Sequence, residues 1–115
     1  MAGEHILVVE DDIDLIDVLV QVLEREGYRV SAATRRAEAR ALLRQGGIDL
    51  IIADSVLRGG NGDDVAKAAV GNGVPVIMIS GEPARVARLS GGAAPFLAKP
   101  FHAADLLRLV TQLLP

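Results

Sequence analysis

Asp49-Leu50-Ile51-Ile52-Ala53-Asp54 is the stretch whose reading decides the fold. Three large apolar residues in a row, two of them β-branched, predict a strand buried on both faces. The run stops on a carboxylate, and Ser55 to Gly62, rich in glycine, reads as loop. In a parallel sheet the crevice beyond the C-terminal strand ends is where ligands bind. Asp54, set there by a rigid apolar strand, is aimed at chemistry.

Outward from this strand the chain alternates strand and helix. His5-Ile6-Leu7-Val8-Val9 reads as a first buried strand that ends at Glu10-Asp11-Asp12. Ile13, Ile16, Leu19, Val20 and Leu23 then recur at helical spacing, with Asp12 and Asp14 suited to the positive end of the helix and Gly27 as its stop. Residues 28–33 alternate weakly, as an edge strand does. Thr34 is placed to cap an Ala-, Leu- and Arg-rich second helix that closes at Gly46-Gly47. Beyond the loop, Asp63-Asp64 open a short third helix ended by Gly71-Asn72-Gly73. Residues 74–80 form a fourth strand, residues 84–89 a brief fourth helix and residues 95–99 a fifth strand. Ala103, Leu106, Leu107, Val110, Leu113 and Leu114 make the apolar stripe of a last helix.

Composition bounds the reading. A chain of 115 residues has the size of one domain, here 1–115, and half of it is apolar. Aromatics are 3 %, so the core must be aliphatic. No apolar run approaches a membrane span, and there is no cysteine, which fits a reducing, cytoplasmic setting. A net charge of −3 argues against direct nucleic-acid binding.

Strand–helix repeats predict an α/β fold: one doubly wound, five-stranded parallel sheet in the order 2-1-3-4-5, flavodoxin-like, with helices on both faces and the third and fourth shortened. In that order Glu10-Asp11, Asp54, Ser80 and Lys99 each end a different strand at one rim. Taken singly, each has a plain structural role: helix start, turn, loop hydroxyl, solvated lysine. Their convergence is what calls for chemistry. Three carboxylates about 5 Å apart repel by roughly 3 kcal/mol per pair at an effective dielectric near 20. They need a cation, and an all-oxygen site suits Mg2+. A carboxylate beside that ion can attack phosphorus, with the lysine ammonium and a serine hydroxyl facing the phosphoryl oxygens.

Ile6 to Asp12, Asp54, Ser80-Gly81 and Lys99-Pro100-Phe101 together resemble the receiver (CheY-like) domain of two-component response regulators. The likeness spans essentially the whole chain. It implies a signalling domain, not an enzyme turning over a substrate, that is phosphorylated on Asp54 by a histidine kinase or a histidine phosphotransfer protein. It further implies Mg2+ held by Asp11 and Asp54, by Glu10 through water and by the Val56 backbone carbonyl. Lys99 would contact the phosphoryl group and precede a cis bond to Pro100. Ser80 and Phe96 match the switch pair, in which the hydroxyl moves to the phosphate and the ring turns inward to control an output partner, which the sequence does not name. Phe96 has a second reading as plain core.

Arg58 stands where the family has proline, and both the Asp54–Ser80 and Ser80–Lys99 intervals are short. That shortening touches the usual output face. By the same resemblance Glu82 and Val56 fall at positions that tune phosphate lifetime in the family; His5 and His102 read as structural. A flavodoxin would need hydroxyls and amides, not three acids, around its phosphate. A haloacid-dehalogenase phosphatase would need Asp-x-Asp after the first strand and a cap. The remaining alternative is a receiver that is never phosphorylated and serves as an interaction module. The lack of a tail leads to the expectation of a stand-alone regulator or phosphate shuttle.

Overall fold

A computed structural model describes residues 3–54, 56–57, 60–61, 69, 71–81 and 95–114. The strands are β1 (His5–Val9), β2 (Arg29–Ala33), β3 (Leu50–Asp54), β4 (Val56–Leu57), β5 (Gly60–Asn61), β6 (Val76–Ser80) and β7 (Phe96–Ala98). The helices are α1 (Ile13–Arg25), α2 (Arg36–Gln45) and α3 (Ala103–Leu113), with Ala69 and Gly71 also helical. The expected third helix otherwise lies outside the described residues, as does the whole of the fourth.

The main sheet runs β2-β1-β3-β6-β7, all parallel, which is the expected order with the reversal between β1 and β3. β3 and β6 are buried throughout, as uninterrupted apolar runs predict. Strand alternation splits the core in two. Leu7, Val9, Ile51, Ala53 and Met78 pack on one face with Ala39 and Leu43 of α2. Ile6, Val8, Leu50, Ile52, Ile77 and Ile79 pack on the other with α1 and α3. Each of the larger side chains, the alanines aside, contributes about 1.5–3 kcal/mol on burial.

Three local expectations are corrected. Ser55 to Gly62 is not all loop: Val56–Leu57 pairs antiparallel with Gly60–Asn61. Thr34 does not cap α2. The N-cap is Arg35, without a side-chain bond, and the Thr34 amide and hydroxyl instead donate to Glu38 Oε1 at 3.2 and 3.1 Å. Ile13 is not core: it opens α1 and stands 58 % exposed, whereas Ile16, Leu19 and Leu23 are buried. α1 stops as expected, with Gly27 at φ 92°, a left-handed conformation that other residues resist.

Candidate functional site

The rim is assembled by ladders that run one residue past the strands. The Glu10 amide donates to the Ala33 carbonyl at 3.0 Å, and the Lys99 amide to the Ser80 carbonyl at 2.8 Å. Both side chains are thereby held at the level of Asp54. Lys99 precedes a cis bond to Pro100, as expected. Asp12 caps α1 by accepting from the amides of Asp14 and Leu15, and its own amide donates to Glu10 Oε2 at 3.1 Å. From the sequence Asp12 was legible only as a helix start; its hold on Glu10 depends on the turn geometry.

Glu10, Asp11 and Asp54 come together: one oxygen from each lies within 4.8 Å of the others. Lys99 Nζ donates to Glu10 Oε1 at 3.0 Å and to Asp54 Oδ2 at 2.8 Å. Glu10 is 1 % exposed and Asp54 7 %. Burial penalises the Glu10 anion and, with Asp54 adding repulsion, pushes its pKa up to about 7, although the Asp12 amide and Lys99 pull the other way. Lys99 loses hydration too, but its bonds to Asp54 and Glu10 outweigh that loss and raise its pKa. Among the described residues one ammonium thus bonds two of three clustered acidic side chains, leaving the donor set rich in oxygen and short of positive charge.

Ser80 is buried at the end of β6, beside β3 and β7. Phe96 begins β7 opposite Met78 and is 37 % exposed, so the reading of it as plain core is wrong. Among the described residues it lies on the short edge strand of the sheet. Two residues separate Leu57 from Gly60, which makes these the hydrogen-bonded pair of the hairpin. Val56 and Asn61 are then the pair whose backbone groups turn away from each other. The Val56 carbonyl is therefore outside the hairpin ladder, two residues after Asp54.

The response regulator receiver domain model matches residues 6–111. The chain belongs to this family. Among curated relatives, the uncharacterized transcriptional regulatory protein YbdJ of Bacillus subtilis is 34 % identical across 99 % of this receiver domain, which covers 52 % of YbdJ. The chain thus spans about half the length of the curated relatives it matches. Among solved structures, the non-phosphorylated HemR receiver domain of Leptospira biflexa is 34 % identical with a TM-score of 0.82, over 95 % of this chain and 92 % of that one. The receiver domain of a Pseudomonas aeruginosa sensor histidine kinase, solved with a magnesium ion coordinated in its active site cleft, is 30 % identical with a TM-score of 0.85, over 96 % and 97 %.

A receiver domain must also meet the protein it exchanges phosphate with. A cleft of about 410 Å³ runs from Lys99 between α1 and the start of α3, lined by Leu15, Val18, Val22, Pro100, Phe101 and Leu106. Val18 is 56 % exposed and, like Ile13, shows apolar surface at this side of the rim. No helix among the described residues is long and apolar enough to cross a membrane.

Proposed function

We propose that residues 1–115 form one receiver domain that takes a phosphoryl group from a phosphohistidine onto Asp54. The observation that carries this is the meeting of Glu10, Asp11 and Asp54 within 4.8 Å, with Lys99 bridging Glu10 and Asp54. An Asp54 oxygen forms the new bond to phosphorus while the phosphorus–nitrogen bond of the donor breaks, and the imidazole leaves with its electron pair and takes up a proton. Lys99, already 2.8 Å from Asp54, stays within reach of the incoming phosphoryl oxygens. The Ser80 hydroxyl, at the end of the neighbouring strand, supplies a further donor.

The donor set fits a hard divalent cation: all oxygens, two of the acids nine-tenths or more buried, and a Glu10 proton that a cation would displace. Asp11 and Asp54 would hold Mg2+ directly, Glu10 through water and Val56 through its carbonyl. Bound Mg2+ supplies neutralisation of the transferring oxygens and of the carboxylates themselves. The magnesium-bearing Pseudomonas aeruginosa receiver supports the same choice of ion.

The added charge of about −1.5 to −2 on Asp54 draws Ser80 and Lys99 toward it, and Phe96 turns from its exposed position into the space Ser80 leaves. The donor is a histidine kinase or a histidine phosphotransfer protein in the cytoplasm, and it meets the cleft beside α1. The output is a protein, not nucleic acid bound directly by this domain. It acts as a stoichiometric phosphoacceptor and turns over no substrate.

Incubation with Mg2+ and acetyl phosphate, followed by intact-mass measurement, tests this. Wild type gains one phosphoryl group and Asp54→Ala gains none. Equal labelling of both proteins contradicts the assignment, and labelling of neither leaves the interaction-module reading standing.

A further inference from the structure

The exposed charges of α1 and α2 are mostly of opposite sign, with Arg25 on the first helix and Glu38 on the second as the exceptions. On α1, Asp14, Asp17 and Glu24 are exposed along about 15 Å of one side. On α2, Arg36, Arg40 and Arg44 follow each other at four-residue intervals over about 12 Å, with Arg40 and Arg44 exposed. Neither Arg40 nor Arg44, nor any of the three α1 acids, joins an ion pair among the described residues. Like charges four apart repel along a helix and weaken it, so α2 keeps its row at a local loss. Interspersed signs would have served solubility better.

The complement to that row is present on the same molecule. α1 and α2 lie on opposite faces of the sheet, since each packs on its own half of the core. No chain can therefore pair its own two rows, but a second copy can. We propose that α2 of one copy receives α1 of the next. Guanidinium forks suit carboxylates, and exposed Ala37 and half-buried Ala41 beside Arg40 and Arg44 let a second helix lie close. Val18, exposed on α1, adds apolar contact. A nucleic-acid occupant is disfavoured by the net charge of −3 and by the scarcity of aromatic rings for stacking.

Because the two surfaces are back to back, the contact is heterologous and does not close into a two-fold dimer. It is weak and salt-sensitive, as exposed ion pairs are. An α1 engaged this way is hidden from the phosphodonor, so crowding of the unphosphorylated domain slows its own labelling. That consequence rests on the phosphoacceptor reading; the association does not.

Sedimentation velocity on the full, unphosphorylated chain tests it, at about 0.01 M salt, where screening extends about 30 Å, and at about 1 M, where it extends about 3 Å. In low salt the weight-average mass climbs past twice the monomer with concentration, and in high salt it returns to the monomer. Arg40→Glu/Arg44→Glu alone and Asp17→Arg/Glu24→Arg alone lose the climb, and an equal mixture of the two regains it. If circular dichroism shows the first variant unfolded, Arg40→Gln/Arg44→Gln replaces it for the loss of the climb, and its mixture with Asp17→Arg/Glu24→Arg is then expected to stop at a dimer. A wild type that stays monomeric in low salt, a wild-type plateau at a dimer, association that survives the arginine changes, or a mixture that stays monomeric overturns the proposal. No phosphodonor is present, so these results are independent of whether Asp54 is phosphorylated.

Discussion

The two ends of the sheet handle polar groups in opposite ways. At the N-terminal rim the His5 amide donates to Asp49 Oδ2 at 2.8 Å, and the Asp49 amide returns a bond to the His5 carbonyl at 2.8 Å. His5 Nε2 lies 2.7 Å from Ser31 Oγ, and Arg29 Nε donates to the Gly3 carbonyl at 2.8 Å. These groups answer each other and stitch neighbouring segments together. At the C-terminal rim three acids meet, and among the described residues one ammonium bonds to two of them, both buried. Folding alone has no use for that surplus, because burying an under-compensated carboxylate costs stability. The contrast separates a rim that holds the chain together from a rim built to receive something.

The largest expected break is at Lys99. Lys99→Ala removes a donor aimed at the transferring oxygens, so labelling by acetyl phosphate slows by about 10²-fold. The same change leaves Glu10 and Asp54 facing each other without a cation, and the metal-free protein loses about 1–3 kcal/mol, less than a fully buried pair because Lys99 is partly exposed. Mg2+ restores most of that loss, which chemical denaturation with and without the ion measures. Unchanged labelling would place the lysine outside the reaction.

A smaller effect comes from Glu10. Its pKa of about 7 lies above the ordinary 4.5, so the folded chain holds this proton more tightly than the unfolded one. The metal-free protein therefore loses stability as pH rises from about 4.5 to about 7 and levels off above. Lys99, whose raised pKa leaves it protonated throughout, adds no slope there. Thermal melts across this window show the fall in wild type and a flatter profile in Glu10→Gln. Mg2+ binding tightens over the same range, as the competing proton is lost. A wild-type profile as flat as that of the variant would remove the burial argument.

The smallest effect belongs to the other rim. Asp49→Ala takes away the acceptor of the His5 amide and costs about 1 kcal/mol, with labelling at Asp54 unchanged. A fall in labelling of the Lys99→Ala kind would mean that the two rims are not independent.

What was legible in the sequence followed from period and termination. Leu50-Ile51-Ile52-Ala53 could only be a strand covered on both sides, and the acids and lysine at strand ends fell on one rim once the order was known. Side-chain reach was not legible: nothing in the spacing shows that Lys99 spans Glu10 and Asp54, or that the Asp12 amide holds Glu10. Val56–Leu57 and Gly60–Asn61 are too short to carry a period and were hidden among glycines. Ile13 fits the helical stripe by spacing yet stands exposed in the first turn, because periodicity gives direction around a helix and not what packs against each turn. Thr34 has the chemistry of a cap but sits one residue early.

The shared need of the rim acids for a cation is tested most directly by calorimetric titration of Mg2+ into wild type and Asp11→Ala at a pH above 7. Wild type is predicted to bind one ion per chain, with the heat abolished in the variant. Equal binding by both proteins, or no binding by wild type, would contradict the account.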